Sequence, residues 1–280
     1  MKSFTKLYQS VNFKWDMLTV FGVSILLFAL LLTIFPNIFA THDPLNLDLP
    51  NRLQKPDSGN FFGTDDFGRD IYSRIVYGTR FSIITAAIVV STGVIIGSIV
   101  GMVAGYAGGW YDEILMRFTD VVLAFPPILL AMVVVAALGP SLTNTVITLV
   151  LISWPEYARV IRSQTLVEVQ EEYVIAAQAL GIRTVPLLIR HILPNTLPAL
   201  IVQATLNLGV TILALAALGF LGLGAQAPQP EWGLMVSDGR NYFLDAWWYP
   251  VFPGFAIALL TLAVNIIGDT LRDVLDPLSK

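Results

Sequence analysis

Gln203, Asn207 and Thr211 recur every four residues through one uncharged stretch, and Thr261, Asn265 and Asp269 repeat that spacing in another. At helical periodicity each set lies along one helix face. Amide and hydroxyl groups so placed exchange hydrogen bonds with neighbouring groups or with a polar solute. In an apolar setting they either join helices, at about 0.6 kcal/mol per pair on average, or face a water-filled interior. Both readings stand at this level. Other reactive groups are sparse. No paired carboxylates and no nucleophile–base pair fall inside an apolar run, and His42-Asp43 and the lone His191 fall short of the converging ligands a metal needs. No lysine follows a glycine, so the chain has no Gly-Lys-Ser/Thr phosphate loop and is expected not to hydrolyse ATP.

A second constellation lies at 171–195, EEYVIAAQALGIRTVPLLIRHILPN, a polar insert between two strongly apolar runs. Residues 169–180 have the composition of a helix, with Glu171 and Glu172 near its N-terminus, where negative charge suits the helix dipole. Gly181 is placed to end it, Pro186 to sit in the first turn of a second short helix, and Pro194 and Pro198 mark the return to apolar sequence. Ala176, Ala177, Ala179 and Gly181 offer a low-profile surface for close approach of another backbone, flanked by Arg183 and Arg190. Such a surface suits docking into a groove on a soluble partner; an ordinary surface-lying helix has the same composition.

These residues must be positioned by membrane helices. The chain is 55% hydrophobic and 13% charged, with mean hydropathy +0.71, against roughly 25% charged residues in average soluble proteins. A net charge of −4 gives no basic footprint for nucleic acid, and the absence of cysteine removes disulfides and thiolate chemistry. A span needs about 20 apolar residues, and six stretches qualify: 17–40, 81–107, 114–138, 142–161, 197–223 and 246–268. The expected class is an all-α membrane protein of six transmembrane helices. The run at 17–40 exceeds the 7–15-residue core of a signal peptide, and Phe39-Ala40-Thr41 is a poor cleavage site, so it is expected to remain as the first span.

A cytoplasmic N-terminus places ten Lys and Arg inside and six outside, and the second half of the chain carries most of that asymmetry. The expected organisation is a cytoplasmic N-terminus at 1–16, a first span at 17–40 and an external loop at 41–80. A transmembrane core follows at 81–270, with an internal loop at 165–196, and then a cytoplasmic C-terminus at 271–280. Arg117 and Asp120 are spaced to pair near the inner surface. Pro126 and Pro127 are a candidate hinge, and Gly97, Gly101 and Gly105 form a small-residue ridge for close helix packing.

The 171–195 segment resembles the cytoplasmic coupling loop of bacterial ABC-importer permeases. That pattern is Glu-Ala-Ala, three residues, Gly, then nine residues to Ile-x-Leu-Pro, and Ala176, Ala177, Gly181, Leu193 and Pro194 fall on it. Ile175 stands where the glutamate is expected, with Glu172 one turn earlier, and His191 stands where the isoleucine is expected. Further matches are to the peptide- and nickel-type branch. They include the external signature Phe62-Gly63-Thr64-Asp65-Asp66-Phe67-Gly68-Arg69-Asp70, then Phe220–Gln226, Pro230-Glu231-Trp232-Gly233 and the stretch from Gly268 to Pro277. In order on one chain, these are similar to the second permease subunit of dipeptide and oligopeptide importers. Leu215 stands where many relatives carry glutamate, and Gly219 where many carry serine.

The resemblance implies a type I ABC-importer permease fold with a cytoplasmic coupling helix, in a bacterial inner membrane. It implies a heterodimer with a homologous permease, two ATP-binding subunits that hold ATP and Mg, and an extracytoplasmic substrate-binding protein. No cofactor is expected on this chain itself. Residues 169–194 would transmit ATPase motion to the spans, with Glu172, Ala176, Ala177, Gly181, Leu193 and Pro194 at the contact, giving alternating access. Gln203, Asn207, Thr211, Thr261 and Asn265 are the candidates for the path. The implied cargo is a small peptide, with nickel or another small solute as the alternative. A stand-alone channel or secondary transporter is disfavoured by span interiors almost free of charge.

Overall fold

A computed structural model describes residues 16–275, and it is helical. The expected N-terminal stretch with Lys2, Lys6 and Lys14, and the chain beyond Leu275 with Asp276, Pro277 and Lys280, lie outside the described residues. Among the described residues there is no strand, and one isolated bridge joins Thr64 to Asp70.

The first apolar run divides. Helix α1 (Met17–Ile34) is capped by Asp16, and Pro36 opens a separate turn, α2 (Pro36–Phe39). A proline lacks the N–H that would continue α1 but fits the first turn of a new helix. Helix α3 (Ile71–Ala107) starts ten residues before the apolar run at 81, because the Asp70 side chain accepts from the Ser73 backbone N–H and caps it there. Its 37 residues span roughly 55 Å at 1.5 Å per residue, well beyond a hydrocarbon core of about 30 Å.

The expected third span, 114–138, is not one helix. It breaks into α4 (Gly109–Leu123) and α5 (Pro127–Leu138), which bend by 87°. Pro126 is extended (ψ 123°), as the residue before a proline is driven to be, and Pro127 begins the next helix. Helix α6 (Leu142–Glu168) is capped by Ser141 and runs seven residues past the expected end at 161. The loop at 171–195 contains α7 (Glu172–Ala179) and α8 (Thr184–Leu187), then a π turn at Leu188–Ile192 that feeds α9 (Leu193–Phe220). Leu193 N–H reaches back to the Leu188 carbonyl. This wider turn precedes Pro194, whose missing N–H disturbs the regular ladder. Helix α10 (Trp232–Gly239) and α11 (Trp248–Leu275) are the last α-helices among the described residues.

By length and composition, Met17–Ile34, Ile71–Ala107, Thr184–Phe220 and Trp248–Leu275 qualify as spans, and the bent α4–α5 pair makes a fifth if it counts as one. Helix α6 is not among them, because its second half carries Glu156, Arg159 and Arg162.

The core forms where glycine lets helices touch. A Cβ at Gly97 would lie 2.5 Å from Tyr157 Cβ, and one at Gly101 would lie 2.4 Å from the Ala158 carbonyl oxygen. The ridge is thus an intramolecular contact between α3 and α6, extended by Gly93 against Ser153 and Gly105 against Thr165. Helix α1 leans on α11, where Gly22 meets Ile266 and the Thr19 and Thr270 hydroxyls lie 3.0 Å apart.

Candidate functional site

The 171–195 loop is built as an inward-tied hook. Gly181 N–H donates to the Gln178 carbonyl at 2.9 Å and Ile182 N–H to the Ala177 carbonyl at 3.2 Å, the two bonds of a Schellman motif. Gly181 supplies the positive φ (+79°) which that motif requires. Val174, Ala177, Leu187 and Ile192 pack together as a small buried cluster with Tyr106, Val169 and Ile182 beside it. Asn195 Nδ2 donates to the Tyr173 hydroxyl at 2.6 Å and to the His191 carbonyl at 3.0 Å, and Tyr173 donates to Glu168. The start of the loop is thereby fastened to its end. Burial and the adjacent Glu168 carboxylate push the Tyr173 hydroxyl up to about 12.

Of the six expected contact residues, Glu172, Ala176 and Gly181 are exposed, while Leu193 and Pro194 are half-buried. Ala177 is only 6% exposed and faces the body, so it packs the loop and has no outer surface to offer. Four large apolar side chains are exposed on the loop as well: Ile175, Leu180 (82% exposed), Val185 and Ile189.

The external signature folds into a buried charged knot. Asp65 is fully buried and accepts from the backbone N–H groups of Phe67 and Arg69 and from Arg69 Nε at 2.6 Å, with Arg74 Nε 3.5 Å away. Arg74 Nη1 donates to the carbonyls of Pro44 and Pro228. Thr64 Oγ1 donates to the Asn51 carbonyl and accepts from Gln54 N–H. Gly63 and Gly68 both have positive φ, and a Cβ at Gly68 would lie 1.8 Å from the Asp48 carbonyl oxygen. The Tyr249 hydroxyl donates to Asp66 at 2.9 Å. Gly63, Thr64, Asp65, Gly68, Arg69 and Asp70 therefore join the 41–70 segment to α3 and α11, leaving Asp65, Arg69 and Asp70 almost no free surface. Beside this knot an open cavity of about 590 Å³ is lined by Asn37, His42, Tyr77, Phe81 and Pro228 among others.

Nearby, Glu231 caps α10, accepting from Gly233 N–H at 2.9 Å and Leu234 N–H at 2.7 Å. Burial pushes its carboxyl up to about 7 despite those two donors. A Cβ at Gly219 would lie 2.3 Å from Glu231 Oε2, so glycine there leaves room for the carboxyl. Leu215 lines one small cavity with Glu231.

The two polar stripes do not converge. Asn207 Nδ2 donates to Glu156 Oε2 on α6 at 2.9 Å, and Gln203 Nε2 donates to Asn207 Oδ1 at 3.2 Å. Asn265 Oδ1 instead sits against Gly209, two residues on and so on the opposite side of α9. Thr211 is buried and donates to the Asn207 carbonyl in its own helix, while Thr261 is buried with Oγ1 unpartnered. Glu156 was not expected in this group; the sequence signal was its place as the first charge in the 142–161 run. The expected Arg117–Asp120 pair is replaced. Arg117 meets Glu113 at 3.3 Å, and Asp120 takes Arg159 at 2.6 Å across to α6, because helices α4 and α6 pack side by side there. Arg162 is likewise paired with Asp112, Nη2 to Oδ2 at 2.6 Å.

Residues 93–280 match the family model described as "binding-protein-dependent transport system inner membrane component". The chain is similar to the dipeptide transport system permease DppC of Alkalihalophilus pseudofirmus, at 46% identity over 95% of this chain and 88% of that protein. It is similar to the probable D,D-dipeptide permease DdpC of Escherichia coli K12, at 47% identity over 94% and 89%. A third relative is the glutathione transport permease GsiD of Pectobacterium atrosepticum, at 44% identity over 80% and 75%. In fold, it resembles a chain of the MetNI methionine ABC transporter in inward-facing conformations, with TM-score 0.56 and 20% identity, over 71% of this chain and 95% of that one. The chain belongs to the binding-protein-dependent transport system inner membrane components, as a multi-pass transport permease of the ABC-importer type and not an enzyme.

Proposed function

We propose that this chain forms half of the translocation path of an ATP-driven importer for small peptides. The observation that carries the docking part of this reading is the outer face of the 171–195 loop. Ile175, Leu180, Val185 and Ile189 are exposed there, while Val174, Ala177, Leu187 and Ile192 hold the loop to the body. Exposed apolar side chains on a loop that precedes the apolar run at 197–223 are suited to a protein partner. In this reading the partners at that face are two ATP-binding subunits, which hold ATP and Mg. A homologous permease completes the path, and an extracytoplasmic binding protein delivers cargo. Six crossings result if the α4–α5 pair counts as one and α6 as another, its charges being matched by Asp112, Asp120 and Asn207. Both termini then lie in the cytoplasm. Peptide cargo is supported by the names of the relatives, which are permeases for dipeptides, D,D-dipeptides and glutathione.

Co-expression with the neighbouring transporter subunits, purification in mild detergent and reconstitution into proteoliposomes test this. ATP-dependent dipeptide uptake by the assembled complex is expected. A chain that purifies without ATP-binding subunits and still transports alone would overturn the reading.

A further inference from the structure

Glu156 lies level with the middle of the apolar 81–107 stretch of α3. Its neighbour Tyr157 packs against Gly93 and Gly97 of α3, and residue 94 is the midpoint of the apolar 81–107 stretch. Yet the Glu156 side chain is exposed on this chain, and among the described residues it takes part in no ion pair. The two arginines that follow it on α6 are committed elsewhere, Arg159 to Asp120 and Arg162 to Asp112. A charged acidic side chain within an apolar span is costly against lipid and nearly always faces the bundle interior or a water-filled cavity. The surface around Glu156 is therefore one that water or a cation reaches.

Its hydrogen bonds run in one direction. Gln203 donates to Asn207, and Asn207 donates to Glu156 Oε2. Two neutral amides thus fix the carboxylate without neutralising it. A carboxylate has about four acceptor positions, and one is filled. A primary ammonium brings three N–H donors and one positive charge, the complement of what remains. A peptide with a free N-terminus carries that group whatever its side chains.

We propose that Glu156, held by Asn207 and Gln203, is a station for the cargo's primary ammonium halfway along the path. It rests on the peptide-importer reading and adds the group that reads a feature common to varied peptides.

Because the chain contains no cysteine, Gln203→Cys in the assembled importer gives one reporter thiol on this chain. Its modification by a cationic trimethylammonium-ethyl methanethiosulfonate and by the anionic sulfonato-ethyl reagent is followed by mass spectrometry, with rates divided by those for a free thiol. The cationic reagent is expected to be favoured by about tenfold, the scale of one charge-assisted contact. Adding Glu156→Gln should abolish that preference. In detergent without binding protein, a dipeptide with a free N-terminus should slow the reaction, and its N-acetyl form should not. In proteoliposomes Glu156→Gln should cut uptake about tenfold or more, and Glu156→Asp should restore part of it. The proposal is overturned by a thiol inert to both reagents, by a charge preference independent of Glu156, by equal protection from both peptides, or by unchanged uptake. It is also overturned if Glu156→Gln releases the homologous permease, which makes Glu156 a subunit-interface residue. Absence of ATP-dependent uptake in the wild-type assembly instead sinks the importer reading, while the Glu156-dependent thiol chemistry would stand.

Discussion

The backbone N–H of Ile182 donates to the carbonyl of Ala177 across the end of α7 at 3.2 Å, and Gly181 between them turns the chain with φ +79°. This bond points Leu180 outward at 82% exposure while Ala177 turns inward at 6%. One helix terminus thus sorts the loop into an anchored side and a presented side.

Gly181→Ala isolates the backbone part of that device, because a Cβ at Gly181 meets nothing within 4 Å. The cost is the left-handed conformation alone, about 1 kcal/mol. We expect unchanged membrane insertion and roughly fivefold weaker retention of ATP-binding subunits on affinity resin, taking 1.4 kcal/mol per decade. Gly181→Asn should lose less, since asparagine tolerates that region. Equal retention by wild type, Ala and Asn variants would remove the turn from the docking mechanism.

Leu180→Asp and Ala177→Arg separate presentation from anchoring. Leu180→Asp should abolish ATPase retention and leave limited proteolysis of the 171–195 loop in the isolated permease unchanged. Ala177→Arg places a cation in the cluster of Val174, Leu187 and Ile192, where an unpaired buried charge is strongly unfavourable, so the loop should become protease-sensitive even without partner subunits. Identical protease patterns for the two variants would contradict the two-sided loop.

Asp65 balances Arg69 and Arg74 in a site where the three side chains are at most 4% exposed. Asp65→Ala leaves both guanidinium groups without that carboxylate, and breaking a buried pair in this way costs roughly 3–5 kcal/mol. The expected result is loss of detergent-stable protein, with Asp65→Asn intermediate because it keeps one acceptor oxygen. Wild-type thermal stability in Asp65→Ala would show that the knot does not hold the external segment.

How much of this could be read beforehand depends on whether a local signal existed. Gly181 as a helix stop and the 97-101-105 ridge were legible, since each follows from what glycine permits in a backbone. Pro126 and Pro127 marked a hinge, but nothing in their sequence sets an 87° bend. The inward face of α7 was hidden because Val174, Ile175, Ala176, Ala177, Ala179 and Leu180 surround the helix and leave no apolar stripe to orient it. Glu156 looked like the end of a span because one charge in an apolar run reads as an exit. Helix α6 continues because the α3 glycines grip it and Asn207 and two carboxylates on α4 satisfy its polar groups. The Asp65 knot joins residues far apart in sequence, and only the packed chain brings Pro228 and Tyr249 to it.

Glu231 gives the permease a pH-dependent stability of defined sign. Burial raises its carboxyl from the ordinary 4.5 to about 7, against the opposing pull of the Gly233 and Leu234 N–H groups. Between those values the folded chain holds a proton that the unfolded chain has released, so stability falls as pH rises. The contribution is complete below about 4.5 and is lost by the time pH passes 7, a change of roughly 3 kcal/mol at 1.36 kcal/mol per pH unit. Glu231→Gln keeps an oxygen acceptor for one of the two N–H groups and has nothing to titrate. The wild-type melting temperature in detergent should therefore decline from pH 5 to pH 8 more steeply than that of the variant. Parallel curves would mean that the carboxyl stays ionised, with its two N–H donors outweighing burial. Gly219→Ser probes the same balance from the other side, since its Cβ enters the space 2.3 Å from Oε2 and must displace the carboxyl. If the cap is what matters, that variant should lose stability at pH 5, where the neutral acid is otherwise best accommodated.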